Sequence, residues 1–150
     1  MGRILCFDYG SKRVGVAMTD ELKIIASPYE TIRPTEVIPF IKSFKEKNKV
    51  EKIVVGLPYD LKGNETDATD LALKFIKTLS SKFHDIPIDT YDERYTSKIA
   101  KDAILTMGKN KRYRQNKSNV DKISASLILQ SYLERKRLWF ILLLFMVIQF

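Results

Sequence analysis

Only Gly10, Ser11 and Lys12 separate two apolar runs, residues 3–9 and residues 13–19 ("RVGVAMT"), and a link that short dictates how they pair. It is too short for a crossover connection, so the two runs are expected to form an antiparallel hairpin. A third strand is predicted at residues 23–32 ("KIIASPYETI"), extending the hairpin into a meander. From Val50 onward the pattern changes. "VEKIVVGLP" (50–58) and "IPIDTYDE" (86–93) read as short buried strands, and apolar residues at helical spacing fill the gaps around them. The spacing predicts helices from Pro34–Thr35 to Asn48 (inward face Val37, Ile38, Ile41, Phe44), over 67–82 (Leu71, Phe75, Ile76, Leu79) and over 96–107. A last helix is expected to start near Asn119. Strands alternating with helices enter a sheet in parallel. The expected architecture is therefore α/β: a five-stranded mixed sheet, three antiparallel strands followed by parallel strands reached through crossover helices, flanked by helices.

The 150 residues fit one domain that needs neither a disulfide nor a metal to fold. Cys6 is the only cysteine and the amino terminus lacks a secretory pattern, so a reducing, cytoplasmic setting is the default expectation. With 26 Lys and Arg against 18 Asp and Glu, the net charge of +8 favours a polyanionic partner.

Three acids stand where packing alone would not ask for them. Asp8 ends the first strand, Glu93 ends the fifth in "DERYTS", and Asp121 lies in the first turn of the last helix in "SNVDKISASLILQ". Neighbouring strand ends converge on one rim of such a sheet, and a helix packed there can add a third group. Three clustered carboxylates repel one another strongly at low dielectric, which calls for divalent cations. An all-oxygen donor set suits Mg²⁺ or Mn²⁺, and the single histidine, His84, provides no zinc-type cluster. Cations held in this way serve phosphodiester hydrolysis, one activating water and the other stabilising the leaving oxygen. Each acid also has an ordinary reading: Asp8 as a turn former, Glu93 as a partner of Arg94, Asp121 as half of a capping pattern with Ser118.

Basic residues supply a second line. "GKNKRYRQNK" (108–117) carries Lys109, Lys111, Arg112, Arg114 and Lys117 with no acid, and Tyr113 among them is suited to stacking on an exposed base. Lys12 and Arg13 lie in the turn after Asp8, and Arg94 adjoins Glu93, so these cations either guide a phosphate or neutralise the acids. The loop "GLPYDLKGNET" is either a plain turn or a phosphate contact at the following helix start.

Four stretches, "FDYGSKRVGVA", "VVGLPYDLKGNET", "DERYTSKIAKDAIL" and "VDKISASLILQSYL", occur in the order and at the spacing of one family. Across nearly everything before residue 138 the chain resembles the YqgF family, also called RuvX, within the ribonuclease H-like superfold. The resemblance implies strand order and direction as in ribonuclease H, with acidic metal ligands falling on Asp8, Glu93 and Asp121. It also implies a metal-dependent nuclease acting in 5′-end maturation of the small-subunit ribosomal RNA precursor, or alternatively on four-way DNA junctions. A homodimer is compatible with it. Two other classes stay open: a nucleotide-binding domain, because "DYGSKRVGVA" is also similar to the phosphate loop of actin-like ATPases, and a non-catalytic ribosome-assembly module.

The segment "LWFILLLFMVIQF" (138–150) follows the basic run "RKR" and has no counterpart in that family. A helical span of a bilayer needs about 20 apolar residues, so this tail reads as a docked or interfacial helix end in preference to a transmembrane segment. The expected division is a nuclease domain over 1–137 and an apolar tail over 138–150 that is not a separate domain. Docking on the domain or a partner, membrane-surface attachment, and an accident of the reading frame are the three readings of the tail.

Overall fold

The computed structural model describes residues 1–96 and 115–148. Strand β1 (Arg3–Tyr9) pairs antiparallel with β2 (Val14–Thr19), and β2 pairs antiparallel with β3 (Ala26–Ile32). On the other side of β1, β4 (Val50–Leu57) and β5 (Ile88–Asp92) add in parallel, giving the order β3-β2-β1-β4-β5. This is the mixed sheet expected from the sequence. Helix α1 (Val37–Lys47), entered through a 3₁₀ turn at Pro34–Glu36, and helix α2 (Asp67–Lys82) make the crossovers, while α3 (Lys117–Ile148) is one long helix.

Strand alternation sorts the core into two layers. Leu5 and Phe7 of β1, Val14 and Val16 of β2, and Ile53 and Val55 of β4 face α1 and α2, packing on Val37, Ile41, Phe75 and Leu79. Their neighbours Ile4, Cys6, Ala17 and Val54 face α3, packing on Ala125, Ile128, Leu129 and Leu133. Burying each large side chain contributes about 1.5–3 kcal/mol, so the two faces share the stabilisation. On β2 this face carries the small residues Gly15 and Ala17, which lets α3 lie close to that strand. Helix α3 is tied down at both ends of this contact: the Thr31 hydroxyl donates to the backbone carbonyl of Ser118 (2.5 Å), and the Ala26 amide donates to the side-chain oxygen Oε1 of Gln130 (3.0 Å).

Several boundaries differ from the pattern-based expectation, each for a local reason. Strand β2 starts at Val14, because Gly10 donates its amide to the Arg13 carbonyl (3.0 Å) and Arg13 closes the turn. Strand β3 starts at Ala26 and not at residue 23. Asp20 gathers the amides of Leu22, Ile24 and Ile25 onto its carboxylate, forcing Lys23 to φ 55 and ending the apolar run as a turn. Strand β5 is confined to Ile88–Asp92, so Glu93 opens a 3₁₀ turn (Glu93–Tyr95) and does not end the strand. Helix α3 begins at Lys117 and not near Asn119. Its start is capped by Asn116, whose side-chain oxygen accepts the Ser118 amide (3.0 Å), so the Ser118–Asp121 capping pattern is not what starts the helix. Asp121 accordingly sits in the second turn. The helix predicted over 96–107 falls, after Thr96, outside the described residues.

The tail does not dock on the domain among the described residues. Helix α3 continues without a break, and every side chain from Leu138 to Ile148 is exposed. No helix among the described residues is long and apolar enough to cross a membrane.

Candidate active site

Alternation along β1 that buries Ile4 and Cys6 under α3 also carries Asp8 onto the α3 side, at the end of the strand. Asp8 is half-buried there. Its partner across the β1–β2 pair is Gly15. On the opposite side, Phe7 pairs with Val55 of β4, so the next residue along, Gly56, flanks Asp8 at the same level. These two glycines are where the other acids arrive.

At Gly15 the backbone of α3 comes so close that a Cβ would collide with the carbonyl of Asp121. At Gly56 a Cβ would stand 2.6 Å from Glu93 Oε1 and 2.8 Å from Ile128 Cδ1. The Glu93 carboxylate therefore lies over bare β4 backbone beside an α3 side chain. Asp8 thus stands between two backbone cradles, one occupied by the turn carrying Asp121 and the other by the side chain of Glu93. Three residues far apart in the chain meet at one rim.

Electrostatics agree with that placement for two of the three. Burial pushes the Cys6 thiol well above its ordinary range, and the negative charges of Asp8 and Glu93 push it further. Both carboxylates are thus close enough to act on one buried sulfur. Asp121 has a different neighbour: Arg13 Nε lies 2.6 Å from its Oδ2 in a partly exposed ion pair. Among the described residues no group of three His, Cys, Asp or Glu side chains lies close enough to hold a metal ion. The acids share a rim, and Asp121 is turned toward its arginine.

Arg94 does not extend the site's positive charge. Its guanidinium forks onto Asp92, with Nε at 3.1 and 3.0 Å from the two oxygens and Nη2 at 2.6 Å from Oδ2. It also stacks over Tyr59 (5.1 Å to the ring centroid) and presses on Gly63, whose φ of 86 admits no ordinary side chain. The loop after β4 is thereby pinned to the turn that carries Glu93. Asp60 closes that loop on itself by accepting the amides of Lys62 and Asn64 at 2.9 and 2.8 Å, and Thr66 caps α2 by accepting the Thr69 amide. These bonds make the loop a self-closed scaffold beside the Glu93 turn.

The Arg94 hydrogen bonds, opposed by partial burial, hold Asp92 below its ordinary value of 3.8. A carboxyl whose folded value is depressed contributes stability above its unfolded value and loses it as pH falls through the folded one. Asp92→Asn is therefore expected to lower the melting temperature at pH 7, with the gap to wild type closing as pH drops below about 4. Thermal scans across that range check it, and a gap that stays constant would refute the role given to this pair.

Of the remaining cations, Lys12 is exposed in the β1–β2 turn and Lys117 is exposed at the first residue of α3, both toward the Asp8 end of the sheet. Lys109, Lys111, Arg112, Tyr113 and Arg114 lie outside the described residues. Gly15 and Gly56, where the other two acidic residues approach β1, are positions that motif reasoning passes over or treats as loop chemistry. Their signal was present in "VGVA" and "VVGLP", since a glycine inside a strand pattern marks a close backbone approach.

The chain is similar to known proteins over most of its length. A family model described as "RuvX: Holliday junction resolvase" matches residues 2–135. A protein of Flavobacterium psychrophilum named "Putative pre-16S rRNA nuclease" is 45% identical over 136 residues, covering 91% of this chain and 99% of the relative. A protein of the same name from Phocaeicola vulgatus is 46% identical over 137 residues, covering 91% and 99%. Among solved structures, Thermus thermophilus RuvC in complex with a Holliday junction substrate superposes with a TM-score of 0.56 at 14% identity, covering 91% of this chain and 97% of RuvC, a likeness of fold. The matched region stops before the apolar tail. The extent of the family match and the identity to these relatives show that the chain belongs to the RuvX family, on a RuvC-like, ribonuclease H-type fold.

Proposed function

We propose that the protein is a metal-dependent nuclease that hydrolyses a phosphodiester bond of nucleic acid, acting on the 5′ end of the small-subunit ribosomal RNA precursor. One observation carries the reading: Asp8 is flanked in the sheet by two glycines, and each makes room for one of the other two acids. The name that the Flavobacterium psychrophilum and Phocaeicola vulgatus relatives share supports the RNA substrate. The working domain is residues 1–137, with 138–150 an appended tail in a cytoplasmic protein.

The donor set fits hard divalent cations, Mg²⁺ or Mn²⁺, because it is all carboxylate and the Gly56 cradle already seats the Glu93 side chain. Asp8 and Glu93 would hold the ion, and Asp121 would join them on exchange with Arg13. When bound, the metal supplies activation of water and charge compensation at the leaving oxygen. The chain's own residues do the rest. Gly15 and Gly56 fix where the acids stand, and the Arg94–Asp92 fork holds the Glu93 turn in place. Lys12, Lys117 and the basic residues of 108–117 neutralise phosphates on either side of the scissile bond. Arg13 compensates Asp121 while no cation is present.

Arg13→Gln is expected to tighten Mn²⁺ binding about fivefold, the equivalent of about 1 kcal/mol for a partly exposed ion pair that competes with the metal. Calorimetric titration of both proteins measures it, and unchanged or weaker binding would remove Asp121 from the ligand set. For the substrate, an RNA fragment carrying the 5′ precursor extension is expected to be cleaved with Mg²⁺ and spared in EDTA, faster than a four-way DNA junction at equal concentration. Preferential cleavage of the junction would install the second reading, Holliday junction resolution, which the family description and the RuvC-like fold favour. No cleavage of either would leave a binding module.

A further inference from the structure

Helix α3 crosses the sheet from the acidic rim, at Asp121, to the opposite rim at Arg137, a path of about 24 Å at 1.5 Å per residue. There it leaves the domain. From Leu138 to Ile148 every residue is apolar, and each is between 48% and 72% exposed. Successive helical residues turn about 100°, so this stretch is apolar on all faces and not along one stripe. A second protein seated on one side would cover a band and leave the other faces in water. A lipid phase covers all of them.

The surroundings of the exit point favour the same occupant. Arg135, Lys136 and Arg137 precede the apolar stretch; Glu134 lies beside them in the chain and Asp89 pairs with Lys136 (3.6 Å), but Lys52 next to Asp89 leaves the collar net positive. Trp139 comes next, the residue type suited to the headgroup level. Arg137 Nη2 donates to the carbonyls of Ile24 (2.8 Å) and Lys23 (3.4 Å), which fixes the β2–β3 turn against the collar. That turn shows Leu22 at 60%, Ile24 at 48% and Ile25 at 60% exposure. Two segments distant in the chain therefore present apolar side chains around one basic ring. The stretch from Leu138 to Ile148 is about 16 Å long, roughly half the about 30 Å hydrocarbon core of a bilayer. That is the depth of one leaflet.

We propose that residues 138–148 insert into a single leaflet of an anionic bilayer, with Arg135–Arg137 on the lipid headgroups and the Leu22–Ile25 turn resting on the surface. The Asp8 rim, at the far end of α3, then faces away from the membrane and stays open to a polyanion. The proposal does not rest on the nuclease reading.

The test is flotation of the full chain with vesicles of phosphatidylcholine containing about one third phosphatidylglycerol, against pure phosphatidylcholine vesicles. The chain is expected to float with the anionic vesicles and at least about tenfold less with the neutral ones, since each basic residue near such a surface adds about 1 kcal/mol of attraction. Trp139 is the only tryptophan, so its emission should shift to the blue on the anionic vesicles and be quenched by bromine-labelled acyl chains. The full-length double variant Leu142→Asp/Phe145→Asp, altered only at exposed positions, should stay unfloated while keeping the wild-type melting temperature. Two results would overturn the proposal: no flotation with either vesicle, or a blue-shifted Trp139 in a discrete vesicle-free oligomer. The latter would assign the segment to a second copy of the chain.

Discussion

Asp8→Asn is expected to lower Mg²⁺-dependent cleavage of a structured RNA at least about 10³-fold, about 4 kcal/mol of lost transition-state stabilisation, while leaving the fold intact. Asparagine matches aspartate in shape, so neither the β1 register nor the contact with Gly15 is disturbed. What disappears is one negative charge at the point between the two glycine cradles. Asp8 also shares a low-dielectric neighbourhood with Cys6 and Glu93, and removing its charge relieves repulsion there. The melting temperature should therefore hold or rise slightly. Initial rates with and without Mg²⁺, beside a thermal scan, give both readings. Equal cleavage by the two proteins would sink the nuclease assignment, and a lower melting temperature would mean that Asp8 is chiefly structural.

Gly15→Ala should have the opposite character. The added methyl group would overlap the Asp121 carbonyl and crowd the Lys122 amide, atoms of helix backbone that cannot rotate away. Helix α3 would have to lift off β2, loosening Ala125, Ile128 and Leu129 on that face. Overpacking against backbone costs about 3 kcal/mol, and in a domain of this size that lowers the melting temperature by about 10 °C. Gly56→Ala is the informative companion. Its new methyl group meets the ends of two side chains, Glu93 Oε1 and Ile128 Cδ1, which can turn aside. Little stability should be lost, but the Glu93 carboxylate moves off its seat and cleavage falls with it. Denaturation midpoints and cleavage rates for the two variants separate them. A Gly15→Ala protein as stable as wild type would contradict the close approach of α3, and a fully active Gly56→Ala protein would contradict the seating of Glu93.

Much of the framework could be read along the chain because it depends on neighbours in sequence. The short link after Tyr9 allows only an antiparallel partner, and period-2 and period-3.6 patterning marked the strands and the helices α1 and α2, the latter to its ends. Boundaries slipped where a side chain captured backbone groups. Asp20 turned residues expected in β3 into a turn, and Asn116 moved the start of α3 upstream. Propensity does not contain such captures, since they depend on where one carboxylate or amide can reach.

The three acids were recognisable as unusual from sequence, because charged residues at the ends of apolar runs need a reason to be there. Which cation each meets was not. Arg13 and Asp121 are 108 positions apart, yet they form an ion pair at 2.6 Å, and Arg94 turns to Asp92 although it adjoins Glu93. Both outcomes depend on which side chains the packing of α3 and the loop after β4 brings within hydrogen-bonding distance.

By itself the sequence determined the alternation of the core, the mixed sheet and the identity of the candidate acids, because these follow from local periodicity and residue chemistry. Only the tertiary structure decided that Gly15 and Gly56 hold those acids at one rim and that Asp121 rests on Arg13. It also decided that the apolar end of α3 stands clear of the domain. Those facts depend on how closely a helix can approach a sheet, a distance set by missing side chains on strands far apart in the chain.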